Sequence, residues 1–502
     1  MPFYAARSSA NSCRRMRTSP KLTIRHAVIM AVVLAGLCGY WFSQVTGSEV
    51  KDDAGQNLTL ALNLQRNHVI SMDWEPPYRP SMHREPVPVA TTALAIAMVD
   101  AVFGKADLSE HFSGDRARYL KYQNVLWLIL LWTGVFFTAY WFTSSFALSL
   151  AGAVWATLPF SSGLSDTTVD SLCTELPAAA LLVIASAWLV VGTRKGRPWF
   201  FVASGVCFGL LALTKAAVLY VFLGLVALLL LCHAAIGDRA ARVQRLKATV
   251  LMVFAFAVVV VPWMYRNLDQ LGVFQISARG GETLMGRALL NQMSWEEYRG
   301  TLYAWGRRPL RPIIGRILGF SPSDLERGGR LARLNDDLGT ADFHRDDVAA
   351  MLAGDPDAAL SFYMRVRAEN VKVQRELEQA GHANPEVGAD RILQARALQM
   401  IKADMGRHLA MTIPLIYRGA TVSFAFLVFA LGYCLLRRDY ALSLFIVPAL
   451  ALLGLYALLS NVFITRYELP ALPVATVVAF ALLHSFWRTS RMPHRIDATS
   501  AG

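Results

Sequence analysis

Residues 249–265 read TVLMVFAFAVVVVPWMY, an apolar run close to the ~20 residues that a helix needs to cross a bilayer. Comparable runs are LPAAALLVIASAWLVV at 176–191 and SLFIVPALALLGLYALLS at 443–460. Backbone groups inside a bilayer must be satisfied within their own segment, so these runs form helices. Their unbroken apolar character also excludes a membrane β-barrel. Because 55% of the 502 residues are hydrophobic and 17% are charged, the sequence predicts an all-α, polytopic membrane protein.

Lysine and arginine in the short loops predict the orientation of the chain. The first 26 residues contain six basic residues and no acidic one, and four further basic clusters separate or follow the apolar runs. Placing all five on the cytoplasmic side predicts about ten transmembrane helices in the plasma (inner) membrane, with both termini cytoplasmic. The predicted spans are 27–45, 119–141, 143–161, 176–192, 198–213, 216–232, 248–265, 409–436, 440–460 and 470–487.

This orientation requires that residues 87–104, VPVATTALAIAMVDAVFG, do not cross the membrane. The segment is short and contains Asp100, so we expect an interfacial helix; a true crossing is the alternative and would invert the topology downstream. The predicted organisation is a cytoplasmic basic tail (1–26), a first transmembrane helix (27–45), an outer loop with interfacial helices (46–118), transmembrane helices (119–266), a large and mostly helical outer loop domain (267–408), transmembrane helices (409–487) and a cytoplasmic tail (488–502).

The chain is basic, with 49 Lys and Arg against 36 Asp and Glu. Most of this surplus lies in the predicted cytoplasmic loops, where membrane topology and anionic lipid account for it. We therefore predict membrane lipid, and no nucleic acid, as the partner of these basic residues. The six cysteines lie mainly in or beside predicted spans and lack the spacing of metal ligands.

Several segments share a characteristic order and a predicted placement on the outer face. The segment DAGQNLTLALNL starts at Asp53, and HREPVPVATTALAIAMVDAVFG follows it. The others are DSLCTELPAAALL, GVCFGLLALTKAA, PWMYRN followed by GVFQISARGGETLMG, and RYELPALP. Together they resemble the GT-C superfamily of integral membrane glycosyltransferases, which includes protein O-mannosyltransferases and the lipid A aminoarabinose transferase. This chain departs from the family pattern at Asn57, where an aromatic residue is common.

The resemblance implies a GT-C-like fold and an inverting transfer of a sugar from a polyprenyl-phosphate donor to a lipid, glycan or protein acceptor at the outer face. Such a reaction needs a base for the acceptor hydroxyl and positive charge for the departing phosphate. The resemblance implies Asp53 as the catalytic base, with Asp52 as its close competitor. Both acids would also suit the N-terminus of a helix through its dipole, without any catalytic role.

Cations at the outer ends of the spans are candidates for binding the donor phosphate. Lys215 is unusual because LLALTKAAVLYVF surrounds it with apolar residues, where a charge needs a partner or a polar cavity. Snorkelling to the interface is its alternative role. The predicted phosphate-binding residues are Lys215, Arg266, Arg84 and Arg466, and the predicted substrate-binding residues are Glu175, Asn267, Arg279 and Tyr467. Ordinary interface anchoring predicts a similar composition at these edges.

Glu85 and His83 form a candidate pair of ligands for a divalent metal ion, a cofactor that the resemblance implies for some members. Some members place the acid two residues before proline, whereas here Arg84 occupies that position and Glu85 directly precedes Pro86. A structural salt bridge in the loop is the alternative for Glu85.

A transporter or lipid flippase is the competing function, because such proteins also keep rare charges among their spans. A transferase requires Asp53, Glu85, Lys215 and Arg266 to converge on one outer cavity. A carrier requires access through the centre of the membrane. The two functions therefore predict different placements of the same side chains.

Overall fold

A computed structural model of the protein describes residues 22–158, 169–235, 239–335, 341–461 and 464–490. Within these ranges the secondary structure is helical and contains no strand, which confirms the predicted all-α class. Most of the two predicted cytoplasmic tails, residues 1–21 and 491–502, lies outside the described residues.

The described helices are numbered here in chain order. The first group is α1 (Ile24–Gln44), α2 (Asp52–Asn67), α3 (Pro86–Phe103), α4 (Gly114–Lys121), α5 (Gln123–Thr143) and α6 (Phe146–Thr157). The second group is α7 (Glu175–Lys195), α8 (Pro198–Ala212), α9 (Val218–Ala235) and α10 (Arg239–Leu271). The third group is α11 (Gly280–Leu289), α12 (Trp295–Ala304), α13 (Arg311–Leu318), α14 (Ala341–Ala353), α15 (Phe362–Gln379) and α16 (Pro385–Ala403). The last group is α17 (Met405–Ala410), α18 (Thr412–Gly419), α19 (Thr421–Leu436), α20 (Tyr440–Leu459), α21 (Thr465–Glu468) and α22 (Leu472–Ser490).

The number of helices that could cross a membrane is lower than the predicted ten. By length and composition, seven of the described helices qualify, or eight if a bent pair is one span. Shorter apolar helices replace three predicted spans; α6 and α8, for example, have 12 and 15 residues. Such lengths fall short of the ~20 residues of a straight crossing. The chain is thus a helical protein with several apolar helices, as in a multi-pass integral membrane protein. Seven or eight candidate spans among the described residues replace the predicted ten.

The predicted span at 409–436 is a broken helix. The helical stretches Met405–Gly419 and Thr421–Leu436 meet at an angle of 109°. The break lies at Ala420, whose φ of −154° and ψ of 32° are not helical. Hydropathy alone could not reveal this bend, because both halves are apolar.

Helix α3 covers the segment that was predicted to lie at the interface. Its 18 residues are long and apolar enough to cross a membrane, so composition does not decide between the two placements. Val89 and Ile96 are fully buried, whereas Leu94 and Met98 are exposed. Asp100 accepts hydrogen bonds from His111 Nε2 and Arg116 Nη1, both at 3.1 Å. The interfacial placement of α3 stays a prediction.

Helix α7 lies at the centre of the helical bundle. Of its apolar window, 72% is buried by other parts of the protein, against 6% for α1. It packs against α5, α8 and α20. Helix α8 in turn lies very close to α10, because a Cβ added to Gly205 would stand 2.2 Å from the carbonyl oxygen of Met252. Only glycine allows this approach, which brings the middle of α8 against the backbone of α10.

Asp170 joins the segment after α1 to helix α4. Its carboxylate accepts hydrogen bonds from Thr46 N and Ser48 Oγ, each at 2.7 Å, and pairs with Lys121 Nζ at 3.1 Å. The Lys121 side chain is fully buried. A buried ammonium group needs such partners, and this cluster therefore anchors the chain just before α2 begins.

The segment between α10 and α17 is a mostly helical domain, called the large loop below. Helix α10 extends to Leu271, beyond the predicted boundary at 266. Within the large loop α11 packs against α15 and α16. The large loop also contacts the first loop, where Ala278 N donates to the Met82 carbonyl at 3.0 Å and His83 Nδ1 lies 2.7 Å from Glu386 Oε1.

Replacement of Asp170 by alanine is expected to destabilise the protein strongly. The variant leaves the Lys121 ammonium buried without its anion, a loss on the order of 3 kcal/mol. Thermal unfolding of the detergent-solubilised protein measures the effect. Asp357→Ala is the matched control, because Asp357 pairs with Arg365 at 3.7 Å and its side chain is 88% exposed. Equal unfolding midpoints for the two variants would contradict the proposed anchor.

Candidate functional site

A cavity of about 400 Å³ opens where the first loop, the N-terminal end of α7, the turn between α8 and α9, and the large loop meet. Its charged lining residues are Asp53, Arg84, Glu85, Lys215, Arg279, Asp390 and Arg466. Uncharged polar residues and a set of apolar side chains complete the walls. The cavity therefore combines a charged part with an apolar part.

Asp53 lies at the centre of the charged part. Arg84 Nη2 donates to Asp53 Oδ1, and Arg466 Nη2 donates to Asp53 Oδ2 at 2.5 Å. Arg279 Nη1 lies 3.5 Å from Asp53 Oδ1. One carboxylate is thus shared among three guanidinium groups.

These contacts set the protonation of Asp53. Burial raises the pKa of the Asp53 carboxyl, but the charges of Arg84 and Arg279 and the hydrogen bonds from Arg466 and Arg84 lower it by more. The pKa consequently lies well below its usual range, and Asp53 is an anion at any physiological pH. With all three guanidinium groups in place it is a weak proton acceptor.

The start of α2 separates the two neighbouring acids. Asp52 has a φ of 52°, in the left-handed region that few non-glycine residues adopt. Its side chain is exposed and does not line the cavity, whereas Asp53 is half-buried and does. The turn at Asp52 thus places only the second acid in the cavity.

Glu175 lies beneath the cavity, at the first position of α7, and is fully buried. Its Oε1 atom is 3.1 Å from both Lys215 Nζ and Arg466 Nε. The ring of Tyr467 lies beside both cations, at 5.2 Å from Lys215 Nζ and 5.6 Å from the guanidinium carbon of Arg466. Arg466 therefore connects the buried Glu175 to Asp53.

Lys215 occupies the turn between α8 and α9. Its backbone N–H donates to the Leu211 carbonyl at 2.8 Å, which continues α8 for one more turn. The side chain is buried and lines the cavity, with Glu175 as its partner. Lys215 is thus a buried charge that pairs with Glu175 at a polar cavity, and its role in binding the donor phosphate stays a prediction.

The predicted metal ligands Glu85 and His83 do not face the same point. Glu85 lines the cavity and its Oε1 accepts the Ala216 N–H at 3.2 Å. His83 instead contacts Glu386 and, at 3.2 Å, Gln56 Oε1. Across the described residues no group of three His, Cys, Asp or Glu side chains could hold a metal ion. Since the cavity wall is also rich in cations, the residues present do not fit a divalent metal.

Arg266 and Asn267 do not line the cavity, contrary to their predicted roles. Arg266 Nη1 donates to the Ser81 carbonyl at 3.1 Å, and Asn267 Nδ2 donates to the Gln275 carbonyl at 2.8 Å. Both residues fix loops against α10, so their sequence position at the end of an apolar run reflects anchoring. Of the four residues required to converge, Asp53, Glu85 and Lys215 do so and Arg266 does not.

Asp390 and Gln394 were not predicted as site residues, yet both line the cavity from α16. Asp390 is only 5% exposed, and its Oδ1 accepts the Gly281 N–H at 2.6 Å. Val387 and Leu393 are buried on the same helix, so Asp390 interrupts an apolar face at helical spacing. The sequence signal that could have identified Asp390 is therefore an acidic residue within an otherwise apolar helix face.

Burial raises the pKa of Asp390 to about 6, although the hydrogen bond from Gly281 acts in the opposite direction. The neighbouring charges of Glu386 and Glu282 act in the same direction as burial, and the value of about 6 includes their effect. No ion pair within the described part of the chain offsets these effects. Asp390 thus differs from Asp53, whose charge is neutralised by arginine.

Comparison with known proteins gives little additional information. No family model matches the chain, and no curated protein matches it. Among solved structures, the chain is similar to ArnT from Cupriavidus metallidurans in the apo state, with 15% identity and a TM-score of 0.35. It is similar to the same protein bound to undecaprenyl phosphate, with 14% identity and a TM-score of 0.35. Each match covers 92% of this chain and 78% of the other. At this TM-score the likeness carries no argument about activity.

The raised pKa of Asp390 predicts a specific dependence of stability on pH. Its ordinary value is 3.8 and its folded value about 6, so the folded state binds this proton more tightly than the unfolded state. Stability contributed by the protonated group is therefore present at low pH and lost as pH rises through about 6. We expect the unfolding midpoint of the wild type, relative to Asp390→Asn, to fall from acidic to neutral pH.

Asp357→Asn is the control for this comparison, because the Asp357 side chain is exposed and lies outside the cavity. A pH-independent difference between the wild type and Asp390→Asn would show that Asp390 titrates normally.

Proposed function

We propose that the protein is an inverting membrane glycosyltransferase that moves a sugar from a polyprenyl-phosphate donor to an acceptor at the outer face of the plasma membrane. The observation that carries the proposal is the sharing of Asp53 by Arg84, Arg279 and Arg466 in one cavity. Guanidinium groups bind phosphate through paired, charge-assisted hydrogen bonds. The motifs that resemble GT-C glycosyltransferases include Asp53, Arg84 and Arg466.

The charge balance of the site suits a phosphodiester. Its four cations are Arg84, Lys215, Arg279 and Arg466, and the carboxylates around them are Asp53, Glu85 and Glu175, while Asp390 lines the cavity from α16 without pairing with any of these cations. A sugar joined to a polyprenyl chain through phosphate carries one negative charge, which would neutralise the remaining positive charge. As the sugar departs, the phosphate gains a second negative charge. Cations already in place would stabilise that charge more strongly in the transition state than in the bound donor.

In the proposed reaction the acceptor oxygen forms a bond to the anomeric carbon while the bond from that carbon to the phosphate oxygen breaks. The bonding electrons remain on the phosphate, and the acceptor proton passes to Asp53. The phosphate competes with Asp53 for the same guanidinium groups, so donor binding would raise the pKa of this carboxyl toward its ordinary range. Asp53 would thus become a base when the donor is present.

The apolar part of the cavity supports a lipid-linked donor. Leu219 and Tyr220 belong to α9, Met264 to α10, and Leu455 and Leu459 to α20. All three helices are apolar, and they would guide the polyprenyl chain from the charged part of the cavity toward the bilayer. We therefore propose that membrane lipid surrounds the polyprenyl chain of the donor.

The position of the cavity favours a glycosyltransferase over a transporter or lipid flippase. Asp53 lies in the first turn of α2, and Glu175 is the first residue of α7. Arg466 lies in the four-residue helix α21. The charges thus cluster at helix ends, whereas the centre of the bundle is filled by buried apolar side chains of α7. A carrier would need its binding groups to be accessible from the middle of the spans.

Replacement of Asp53 by asparagine is expected to lower sugar transfer by at least about 100-fold, because the acceptor proton loses its base. Transfer is measured with purified protein in liposomes, using a panel of radiolabelled polyprenyl-phosphate sugars and cell-envelope extract. Binding of polyprenyl phosphate is expected to persist in Asp53→Asn, since the three arginines remain.

Asp52→Asn is the comparison for this experiment, because Asp52 adjoins Asp53 and lies outside the cavity. Loss of transfer in Asp52→Asn with normal transfer in Asp53→Asn would assign the base to Asp52. Absence of transfer by the wild type from every donor in the panel would overturn the glycosyltransferase proposal.

A further inference from the structure

The two sides of the cavity differ in charge. The first loop, the α8–α9 turn and α21 contribute the cations Arg84, Lys215 and Arg466, which outnumber the lining carboxylates of that side, Asp53 and Glu85. Among the described lining residues the large loop contributes a single cation, Arg279, which reaches toward Asp53. The polar residues of the large-loop side are Gln275, Ser277, Thr283, Asp390 and Gln394. If the donor phosphate occupies the cationic side, this second side faces the group that receives the sugar.

Asp390 is the carboxylate of this second side. It accepts the Gly281 N–H but makes no ion pair with any described residue. Its acidic neighbours are engaged outside the cavity: Glu282 Oε2 accepts from Asn370 Nδ2 at 3.0 Å, and Glu386 contacts His83. The carboxylate is therefore available to accept hydrogen bonds from a ligand in the cavity, and it repels anionic groups.

The position of Asp390 is rigidly defined. A Cβ added to Gly281 would lie 1.9 Å from the carbonyl oxygen of Asp390, so α11 and α16 are in direct backbone contact. The hydrogen bond from Gly281 N, in α11, to Asp390 Oδ1 also holds the carboxylate in place. Gln394 lies one turn further along α16 and lines the same side. Groups held in this way can bind a ligand without first being ordered.

We infer that Asp390 and Gln394 form an acceptor subsite for a hydroxyl-rich group without negative charge, such as a sugar. Hydroxyl groups both donate and accept hydrogen bonds, as do the amide and hydroxyl side chains on this side, and they donate to a carboxylate. An acceptor with a phosphate or carboxylate at this point would face Asp390, whereas the adjacent cation on α16, Arg391, does not line the cavity and donates to the Gly272 carbonyl at 3.1 Å. Asp390 is a positioning residue here, while the proton of the reacting hydroxyl passes to Asp53. The inference rests on the proposed glycosyltransferase function.

Three acceptor probes of equal chain length test the inference: octyl glucoside, which is neutral, octyl glucosaminide, which is cationic, and octyl glucuronide, which is anionic. Transfer to each is measured below its micelle-forming concentration, with wild-type protein in liposomes and the radiolabelled donor that the wild type uses with cell-envelope extract. We expect octyl glucuronide to have the lowest kcat/KM, because Asp390 repels its carboxylate, and we expect octyl glucoside to accept the sugar. Asp390→Asn should raise the KM for this probe on the order of 10-fold, the effect of losing a hydrogen bond to a charged group.

The KM for the donor should stay unchanged in Asp390→Asn, which also shows that the variant is folded, since asparagine can still accept the Gly281 N–H. Asp357→Asn is the matched control and should alter neither KM. Preference for the anionic probe, or an unchanged acceptor KM in Asp390→Asn, would overturn the inference alone. So would transfer to envelope extract without transfer to octyl glucoside. Absence of all transfer by the wild type would overturn the proposed function together with this subsite.

Discussion

The buried carboxylate of Glu175 is the charge on which the arrangement of the cavity depends. It is the first residue of the most buried helix, α7, and is itself fully buried. A buried anion is strongly unfavourable without cations at short distance, and Lys215 and Arg466 meet this need at 3.1 Å. The turn after α8 and the short helix α21 must therefore both reach the end of α7. Three segments that are far apart in the sequence converge for this electrostatic reason.

The same requirement extends outward from Glu175. Arg466 also binds Asp53, which is shared with Arg84 and Arg279, so one continuous set of ion pairs leads from the bundle to the first loop and the large loop. Around Asp53 the guanidinium groups outnumber the carboxylate, and this local excess of positive charge is what an anionic donor would complete. A site of this kind is held in place before its ligand arrives, which lowers the cost of binding.

Much of the architecture could be predicted from the sequence, because a bilayer demands long apolar helices. The role of Lys215 as a paired charge also followed from its apolar surroundings. Its partner could not be identified, since Glu175 is supplied by another helix. Arg266 was misassigned because anchoring and phosphate binding favour the same residue at the same edge. Glu85 and His83 separate because their hydrogen-bond partners, Ala216 and Glu386, lie in different parts of the fold, which the local sequence cannot show.

The most direct test of the central claim is an experimental structure of the protein in lipid nanodiscs with saturating polyprenyl phosphate. The account predicts the phosphate in the cavity, within hydrogen-bonding distance of Arg84, Arg279 or Arg466, with the Asp53 carboxylate separated from the guanidinium groups that the phosphate takes over. A phosphate bound elsewhere, or a cavity in which Asp53 keeps all its arginine contacts and no phosphate is bound, would contradict it.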